Sequence, residues 1–158
     1  MPNIDQNNLS QLNFKFKLER TPDIEYRAQT VSLPGLSLGS ATMPTPRVPI
    51  PFPGNILYGD LNLTFLVGEN MRDYLSLFDW MNALGQPDSF DQYRDFRSDC
   101  SVFILNSNLK VNFVVKFTEA FPVELSGIEF DTTLSETQYA TSTISFRFTR
   151  FYIEKINS

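Results

Sequence analysis

The chain contains no histidine, and this absence excludes several kinds of catalytic site. Without histidine, neither a Ser-His-Asp or Cys-His nucleophilic site nor a histidine-ligated metal centre can form. A single cysteine, Cys100, excludes an intrachain disulfide and a cysteine-cluster metal site. Cys100 begins an apolar, strand-like run, so we expect it to be a small core residue. No phosphate-binding glycine motif occurs. We therefore predict no enzyme activity and no catalytic, cofactor-binding or metal-binding residue.

Long apolar runs and an excess of basic residues are also missing. No stretch reaches the roughly 20 apolar residues of a membrane-spanning helix, and the first residues lack the basic and apolar regions of a signal peptide. The chain has 13 Lys and Arg against 18 Asp and Glu, which gives a net charge of -5. Proteins that grip nucleic acid usually show a basic patch. We expect no membrane insertion by this chain and no specific binding to nucleic acid.

Alternation of apolar and polar residues dominates the rest of the sequence and predicts strands. Residues 1–10 are polar and predict a flexible leader, after which residues 12–18 and 24–31 predict a hairpin. The alternation slips by one at Arg150, which predicts a bulge there. Because the strands follow one another in runs, we predict an antiparallel, mainly β fold. The other predicted strand segments are residues 61–67, 101–105, 111–117, 121–125, 128–130 and 143–153.

One segment, residues 70–84, has apolar residues at three- and four-residue steps, which predicts a helix. Asn70 is placed to cap its first turn, and Gly85 followed by Pro87 is typical of a helix end. We expect the apolar stripe to face the sheet and the polar residues to face solvent. The expected inner stripe is Met71, Tyr74, Leu75, Phe78 and Met81. The expected outer face is Arg72, Asp73, Ser76 and Asp79.

The segment from residue 31 to residue 59 has a different composition from the rest. It holds six of the ten prolines and four of the seven glycines, together with many large apolar residues. It is too apolar for a solvated linker and too rich in proline for a helix or a central strand. We predict a long ordered arm over residues 33–59, covered by another subunit. The predicted interface residues are Leu33, Leu36, Leu38, Met43, Arg47, Val48, Ile50, Phe52, Ile56 and Leu57.

Several short motifs occur in a defined order over residues 12–154. They are Leu33-Pro34-Gly35, Pro49-Ile50-Pro51-Phe52-Pro53-Gly54, Asp60-Leu61-Asn62-Leu63-Thr64-Phe65, Phe78-Asp79-Trp80, Ala120-Phe121-Pro122-Val123-Glu124-Leu125, Ile128-Glu129-Phe130-Asp131 and Ser145-Phe146-Arg147-Phe148. Each motif alone has little specificity. The comparison therefore rests on the order and spacing of the motifs. In this order the chain resembles the tail tube proteins of contractile-tailed bacteriophages.

The resemblance implies a fold, an assembly and a set of partners. The fold would be a single domain over residues 1–158, with two packed antiparallel sheets (a β-sandwich or half-barrel), one flanking helix and the long arm. Six subunits would close into a ring, and rings would stack into a hollow conduit for DNA at genome ejection. The partners would be further copies of the chain, the tail sheath, and baseplate and neck proteins, with DNA passing only transiently. The protein would belong to the phage tail in the virion, assembled in the host cytoplasm.

Related roles stay open at this point. The resemblance also fits a tube initiator at the baseplate, a tail terminator ring at the neck, or the inner tube of a contractile injection system. A different class is a monomeric β-barrel that binds a small apolar ligand, with the arm as a lid. Particle size separates these two classes, since the first forms rings or tubes.

The polar phase of the last predicted strand supplies candidates for the wall of such a conduit. The candidate lumen-facing residues are Thr143, Ser145, Arg147 and Thr149. A ring of unpaired arginines would attract DNA phosphates, so we expect Arg147 to pair with a carboxylate such as Glu129 or Asp131. An acidic or neutral wall would oppose sticking of DNA.

Overall fold

The structure is a computed structural model that describes residues 8–156. The predicted flexible leader, residues 1–10, falls mostly outside the described residues. The described chain forms β1 (Phe14–Leu18), a 3-10 helix (Pro22–Tyr26), β2 (Ala28–Ser32), β3 (Leu36–Met43), β4 (Ile50–Tyr58), β5 (Leu61–Leu66), α1 (Arg72–Gly85), α2 (Gln92–Asp95), β6 (Ser98–Leu105), β7 (Val111–Leu125), β8 (Thr141–Arg147) and β9 (Arg150–Lys155).

Seven of these strands form two antiparallel layers that share β7. The strands follow the order β1-β6-β7-β8-β5-β2, and β9 pairs with β7. The first part of β7 pairs with β6 and β9, and its last part pairs with β8. Glu119, with a φ of 53°, lies between the two parts. We call β1, β6, β7 and β9 the β6 sheet, and β2, β5, β8 and the end of β7 the β8 sheet. The predicted mainly β fold of two antiparallel sheets with one flanking helix is confirmed.

The hydrophobic core lies between the two sheets. Because side chains alternate across a strand, β5 and β8 each turn one apolar row inward, and the β6 sheet supplies the opposing row. Leu77 and Trp80 of α1 close one side, with the Trp80 ring 6.1 Å from that of Phe146. The core residues contributed by strands include Phe16, Leu18, Leu61, Leu63, Phe65, Cys100, Val102, Val115, Phe117, Ile144 and Phe146.

Cys100 is confirmed as a core residue. Its side chain is 1% exposed, and burial, reinforced by the nearby Asp99 charge, raises the pKa of the thiol to about 12. The thiol is therefore protonated and unreactive at neutral pH.

The predicted stripe of α1 is partly wrong. Leu75 and Phe78 are each 47% exposed, and the buried side chains are Asp73, Leu77 and Trp80. The helix carries two overlapping apolar stripes. The stripe that contains the large Trp80 side chain faces the core. Asp73 is tolerated there because its carboxylate accepts hydrogen bonds from backbone N–H groups. The donors are Gly68 at 3.3 Å and Tyr74 at 2.9 Å.

The start of α1 also differs from the predicted cap. Met71, with a φ of 55°, is the residue before the first helical turn. Asn70 lies one residue further out, where its side-chain oxygen accepts a hydrogen bond from the Arg72 backbone at 3.3 Å. Asn70 therefore accepts a hydrogen bond from the first turn of α1, although Met71 and not Asn70 occupies the cap position.

The predicted N-terminal hairpin is wrong. β1 pairs with β6 and β2 pairs with β5, so the two strands lie at opposite ends of the strand order. Ile24 and Tyr26 belong to the 3-10 helix between them. Pro22 explains this, since proline suits the first helical position and supplies no strand N–H.

Two predictions near the C-terminus also need correction. The expected bulge at Arg150 is a complete break, because β8 pairs with β5 and β7 whereas β9 pairs with β7 alone among the described strands. Residues 128–130 do not continue a strand, and the chain from residue 126 to residue 140 is irregular. The predicted segments 111–117 and 121–125 are a single strand, β7.

Candidate functional site

The predicted arm, residues 33–59, is an antiparallel hairpin of β3 and β4. The strands pair from Leu36 opposite Tyr58 to Met43 opposite Ile50, with an irregularity after Leu38. Gly54 lies at this irregularity, where a Cβ atom would come within 3.0 Å of the Gly39 backbone. Glycine is therefore required for the strands to approach so closely. Proline is compatible with β4 because a two-stranded hairpin consists only of edge strands.

The arm leaves its large apolar side chains in solvent. Their exposed fractions run from 41% at Leu33 to 69% at Val48. Arg47 is also exposed and lies between the strands, where Thr45 orders the turn by accepting a hydrogen bond from the Val48 N–H at 3.2 Å. The exposed apolar residues are Leu33, Leu36, Leu38, Met43, Val48, Ile50, Phe52, Ile56 and Leu57.

The root of the arm is fixed to the body. The Tyr58 ring lies 5.7 Å from Phe148 and 5.4 Å from Phe151, and both of those rings contact Phe117 in the core. The Gly59 N–H donates to the Gly35 carbonyl at 3.0 Å, which ties the two ends of the arm together. The arm is thus held at its base while its strands are exposed.

A polar row covers the side of the β8 sheet that faces away from the core. Register places Asn62 opposite Ser145 and Thr64 opposite Thr143, with side-chain hydrogen bonds of 2.6 Å and 3.1 Å respectively. Arg147 extends the row at the end of β8. The structure brings three of the four candidate lumen residues together in this row.

Thr149 does not join the row. It lies beyond β8, and its hydroxyl donates to Glu119 at 2.8 Å.

Arg147 pairs with a carboxylate, as expected, but the partner is neither of the two suggested. Its Nε lies 3.3 Å from Oδ1 of Asp60, and the two side chains are 66% and 41% exposed. Asp131 instead accepts hydrogen bonds from the N–H and hydroxyl of Thr133, which lower the pKa of its carboxyl group. Asp60 immediately precedes β5, so the β5–β8 register places it beside Arg147.

The polar row is close to neutral. Asp60 compensates Arg147, and Thr30 and Ser32 of β2 extend the row with uncharged side chains. Glu124 of β7 lies opposite Ser145 and adds a negative charge. This face therefore has little electrostatic attraction for DNA phosphates.

A cleft that the sequence analysis missed lies between β1 and β2, lined by apolar residues and by the uncharged polar residues Ser10, Gln11, Asn13, Gln29, Thr30 and Ser32. Its volume is about 540 Å³, and no charged residue occurs among its described lining residues. β1 and β2 are the two end strands of the sheet order, so each presents a free edge there. The apolar lining is Leu9, Leu12, Phe14, Val31, Leu33, Val102 and Ile104.

Neither a metal centre nor a membrane span is found in the described part of the chain. Within residues 8–156, no group of three or more Asp, Glu, Cys or His side chains could hold a metal ion. The described helices are all too short or too polar to cross a membrane.

The two antiparallel sheets with a flanking helix are the fold of tube proteins. The chain belongs to the phage tail tube protein family, whose model matches residues 1–154. The resemblance found from the motifs is therefore confirmed. No curated protein matches the chain.

Several solved structures share the fold. A chain of the sheath-tube complex of an extracellular contractile injection system (PVC, extended state) has a TM-score of 0.75 at 18% identity, covering 96% of this chain and 94% of that one. A chain of the tube-terminating cap of the anti-feeding prophage has a TM-score of 0.75 at 17% identity, covering 97% and 95%. Hcp1 from Flavobacterium johnsoniae has a TM-score of 0.54 at 18% identity, covering 90% and 95%.

Proposed function

We propose that this chain is the structural subunit of a contractile tail tube, without catalytic activity. Six copies close into a ring, and rings stack into a hollow conduit through which DNA leaves the virion. Its partners are further copies of itself, the surrounding sheath, and baseplate and neck proteins. The tail assembles in the host cytoplasm. Family membership supports the tube role, and the exposed apolar arm is the observation that carries the assembly.

The arm requires cover that its own subunit does not provide. Monomeric soluble proteins rarely expose a contiguous apolar patch of more than a few hundred Å². Here one hairpin exposes nine large apolar side chains, and its contacts with the body are concentrated at its root. Burial of such a surface between subunits stabilises an assembly by roughly 25 cal/mol for each Å² removed from water. A head-to-tail contact between identical subunits produces a ring when the rotation that relates them closes.

The polar row of the β8 sheet suits the wall of the conduit. Its hydroxyl and amide groups bond to one another, and its one arginine is paired. A wall of this kind stays hydrated and offers DNA no concentration of positive charge, so that DNA can slide rather than bind. We assign Thr143, Ser145 and Arg147 to this wall.

The family fold also fits terminator and initiator rings, and injection-system tubes. In a repeating tube, each ring contacts one ring above it and one ring below it. Each subunit therefore needs two different surfaces that bind to each other in successive rings. The chain has both kinds of surface in the exposed arm and the cleft between β1 and β2. A terminator would need only one of them, which favours the tube subunit. A ligand-binding β-barrel is disfavoured, since aromatic and aliphatic side chains fill the space between the sheets.

Sizing chromatography and negative-stain microscopy of the full chain test the proposal. We expect rings or tubes, either spontaneously or after addition of a preformed tube fragment as a nucleus. Deletion of residues 45–55 should leave the circular dichroism spectrum of the β fold intact but abolish stacking. A wild-type chain that stays a folded monomer at high concentration with the nucleus present contradicts the tube role. Loss of the fold in the deletion variant contradicts the intersubunit role of the arm.

A further inference from the structure

We propose that the cleft between β1 and β2 receives the arm of a second copy of this chain, which completes the hydrophobic core at its open end. The proposal rests on the proposed function and adds the site where the arm binds. Thr30 and Ser32 of β2 belong to both the cleft lining and the polar row, whereas Thr143, Ser145 and Arg147 are not among the described lining residues of the cleft.

The cleft is a continuation of the core rather than a separate surface pocket. Phe16, Val102 and Val115 form a row across the β6 sheet that is at most 2% exposed. One row further along, Phe14 and Ile104 lie on the same face and are only half-buried. The β8 sheet provides less cover there, because β2 ends at Ser32 and the chain leaves as the arm. The core thus has an apolar opening of about 540 Å³.

The chemistry of the opening selects an uncharged, apolar occupant. A charged side chain placed in this cleft would lose its hydration and find no opposite charge among the described lining residues. The arm meets this requirement, since Arg47 is the only charged residue between residues 36 and 58. Arg47 lies between β3 and β4, so both strands are free of charge.

The arm of the same copy does not fill the cleft. Tyr58 and the Gly59–Gly35 hydrogen bond hold its root, and the large apolar side chains from Leu36 to Leu57 are 45% or more exposed. Strands of 8 and 9 residues give the arm a length of about 30 Å at roughly 3.3 Å per residue. That length lets the arm reach a neighbouring subunit.

The free strand edges beside the cleft add a second means of binding. β1 and β2 each have one unpaired edge in the described structure, and so does β3. A strand of the incoming arm can pair with such an edge while its side chains enter the cleft. Each copy then gives one arm and receives another, a head-to-tail contact that can propagate through an assembly.

Cysteine cross-linking between two separately purified variants tests the docking. The native Cys100 is buried, and its raised pKa keeps it from competing. One set of variants carries a cysteine in the arm, at Leu36, Leu38, Ile50, Phe52 or Ile56, so that the test does not depend on a guessed register. The other carries Leu12→Cys at the cleft, and the matched control carries Ser145→Cys in the polar row. Each arm variant is mixed with one partner, assembled, oxidised and run on a non-reducing gel.

We expect at least one arm variant to cross-link with Leu12→Cys only after assembly, and none with Ser145→Cys. Tubes without any cross-link to Leu12→Cys, or with equal cross-linking to the control, overturn the docking site but leave the tube role standing. Cross-links within one unassembled chain that carries both cysteines also overturn it. Absence of rings and tubes from the wild type instead contradicts the proposed function.

A charge placed in the cleft gives an independent measurement. Leu12 is 87% exposed, so Leu12→Glu should fold as stably as the wild type. We expect the critical concentration for tube formation to rise at least about tenfold, because the carboxylate must be desolvated under the arm. Leu12→Gln has a similar size without the charge and should have a clearly smaller effect. Equal assembly of Leu12→Glu and wild type overturns the proposal.

Discussion

Strands β5 and β8 in the body and strands β3 and β4 in the arm are built from similar apolar residues but place them in different surroundings. In β5 and β8 the apolar side chains occupy alternate positions, and those pointing inward are fully buried. In the arm they stay about half-exposed on both strands. The body is thus stabilised within the subunit, whereas the arm buries little of its apolar surface there.

This difference explains why the arm is recognised from its amino-acid composition rather than from an alternation of apolar and polar residues. A strand buried on one face needs polar residues on the other, which gives the regular two-residue period of β5. In the proposed assembly, neighbouring subunits cover the arm on several sides, so its apolar residues need no such period. Under that proposal, the stability of the subunit and the stability of the assembly depend on different residues.

Substituting one phenylalanine in each region should separate these two stabilities with the largest effect. Phe146→Ala removes a fully buried ring that packs against Phe16 and Trp80, and we expect the free energy of unfolding to fall by about 3–5 kcal/mol. Phe52→Ala, in the arm, should change it by less than ~0.5 kcal/mol while weakening assembly. Urea denaturation of the monomer and the critical concentration for tubes measure the two effects. A large loss of monomer stability in Phe52→Ala would show that the arm packs on its own body.

A matched pair of leucines on α1 sharpens the comparison inside the body. Leu77 is fully buried and Leu75 is 47% exposed. Leu77→Ala should therefore cost about 2–5 kcal/mol, and Leu75→Ala about 1 kcal/mol or less. Urea denaturation of both variants decides between the observed helix face and the one predicted from the sequence. A larger loss in Leu75→Ala than in Leu77→Ala would favour the predicted face.

The smallest effect is expected at the ion pair of the polar row. Arg147→Ala removes an exposed pair with Asp60, and exposed pairs contribute only about 0.2–1 kcal/mol. Monomer stability should hardly change, and raising the salt concentration should reduce the difference further. The variant should still form tubes that retain no DNA at low salt, since the change makes the wall more negative. Failure to assemble would place Arg147 at a subunit contact instead of in the wall.

Local sequence information was sufficient for most strands, for the existence of α1 and for the ordered, extended character of residues 33–59, whereas cover of this arm by another subunit stays a prediction. Each of these depends on periodicity or composition within a short window, so the pattern is visible in the residues themselves. Cys100 was placed in the core for the same reason.

The predictions that were wrong or missing concern features that depend on how separate parts of the chain pair and pack in the fold. Nothing in residues 12–31 shows that β1 pairs with β6 rather than β2. The partner of Arg147 depends on the register of β5 against β8, which alternation does not determine. The face of α1 was misassigned because two apolar stripes compete and a hydrogen-bonded Asp73 lies on the buried one. The cleft was missed because β1 and β2 were predicted to pair with each other, whereas they pair with β6 and β5 and leave an opening between them.

The prolines of β4 have a consequence for the subunit before it assembles. An exposed apolar hairpin would ordinarily recruit further strands and aggregate. Pro51 and Pro53 lie opposite Thr42 and Ser40, and neither can donate a backbone N–H group. β4 therefore lacks two hydrogen-bond donors, which makes it a poor template for a further strand. Under the proposed function, this keeps the exposed arm of a newly made subunit from pairing with other chains until a growing tube covers it.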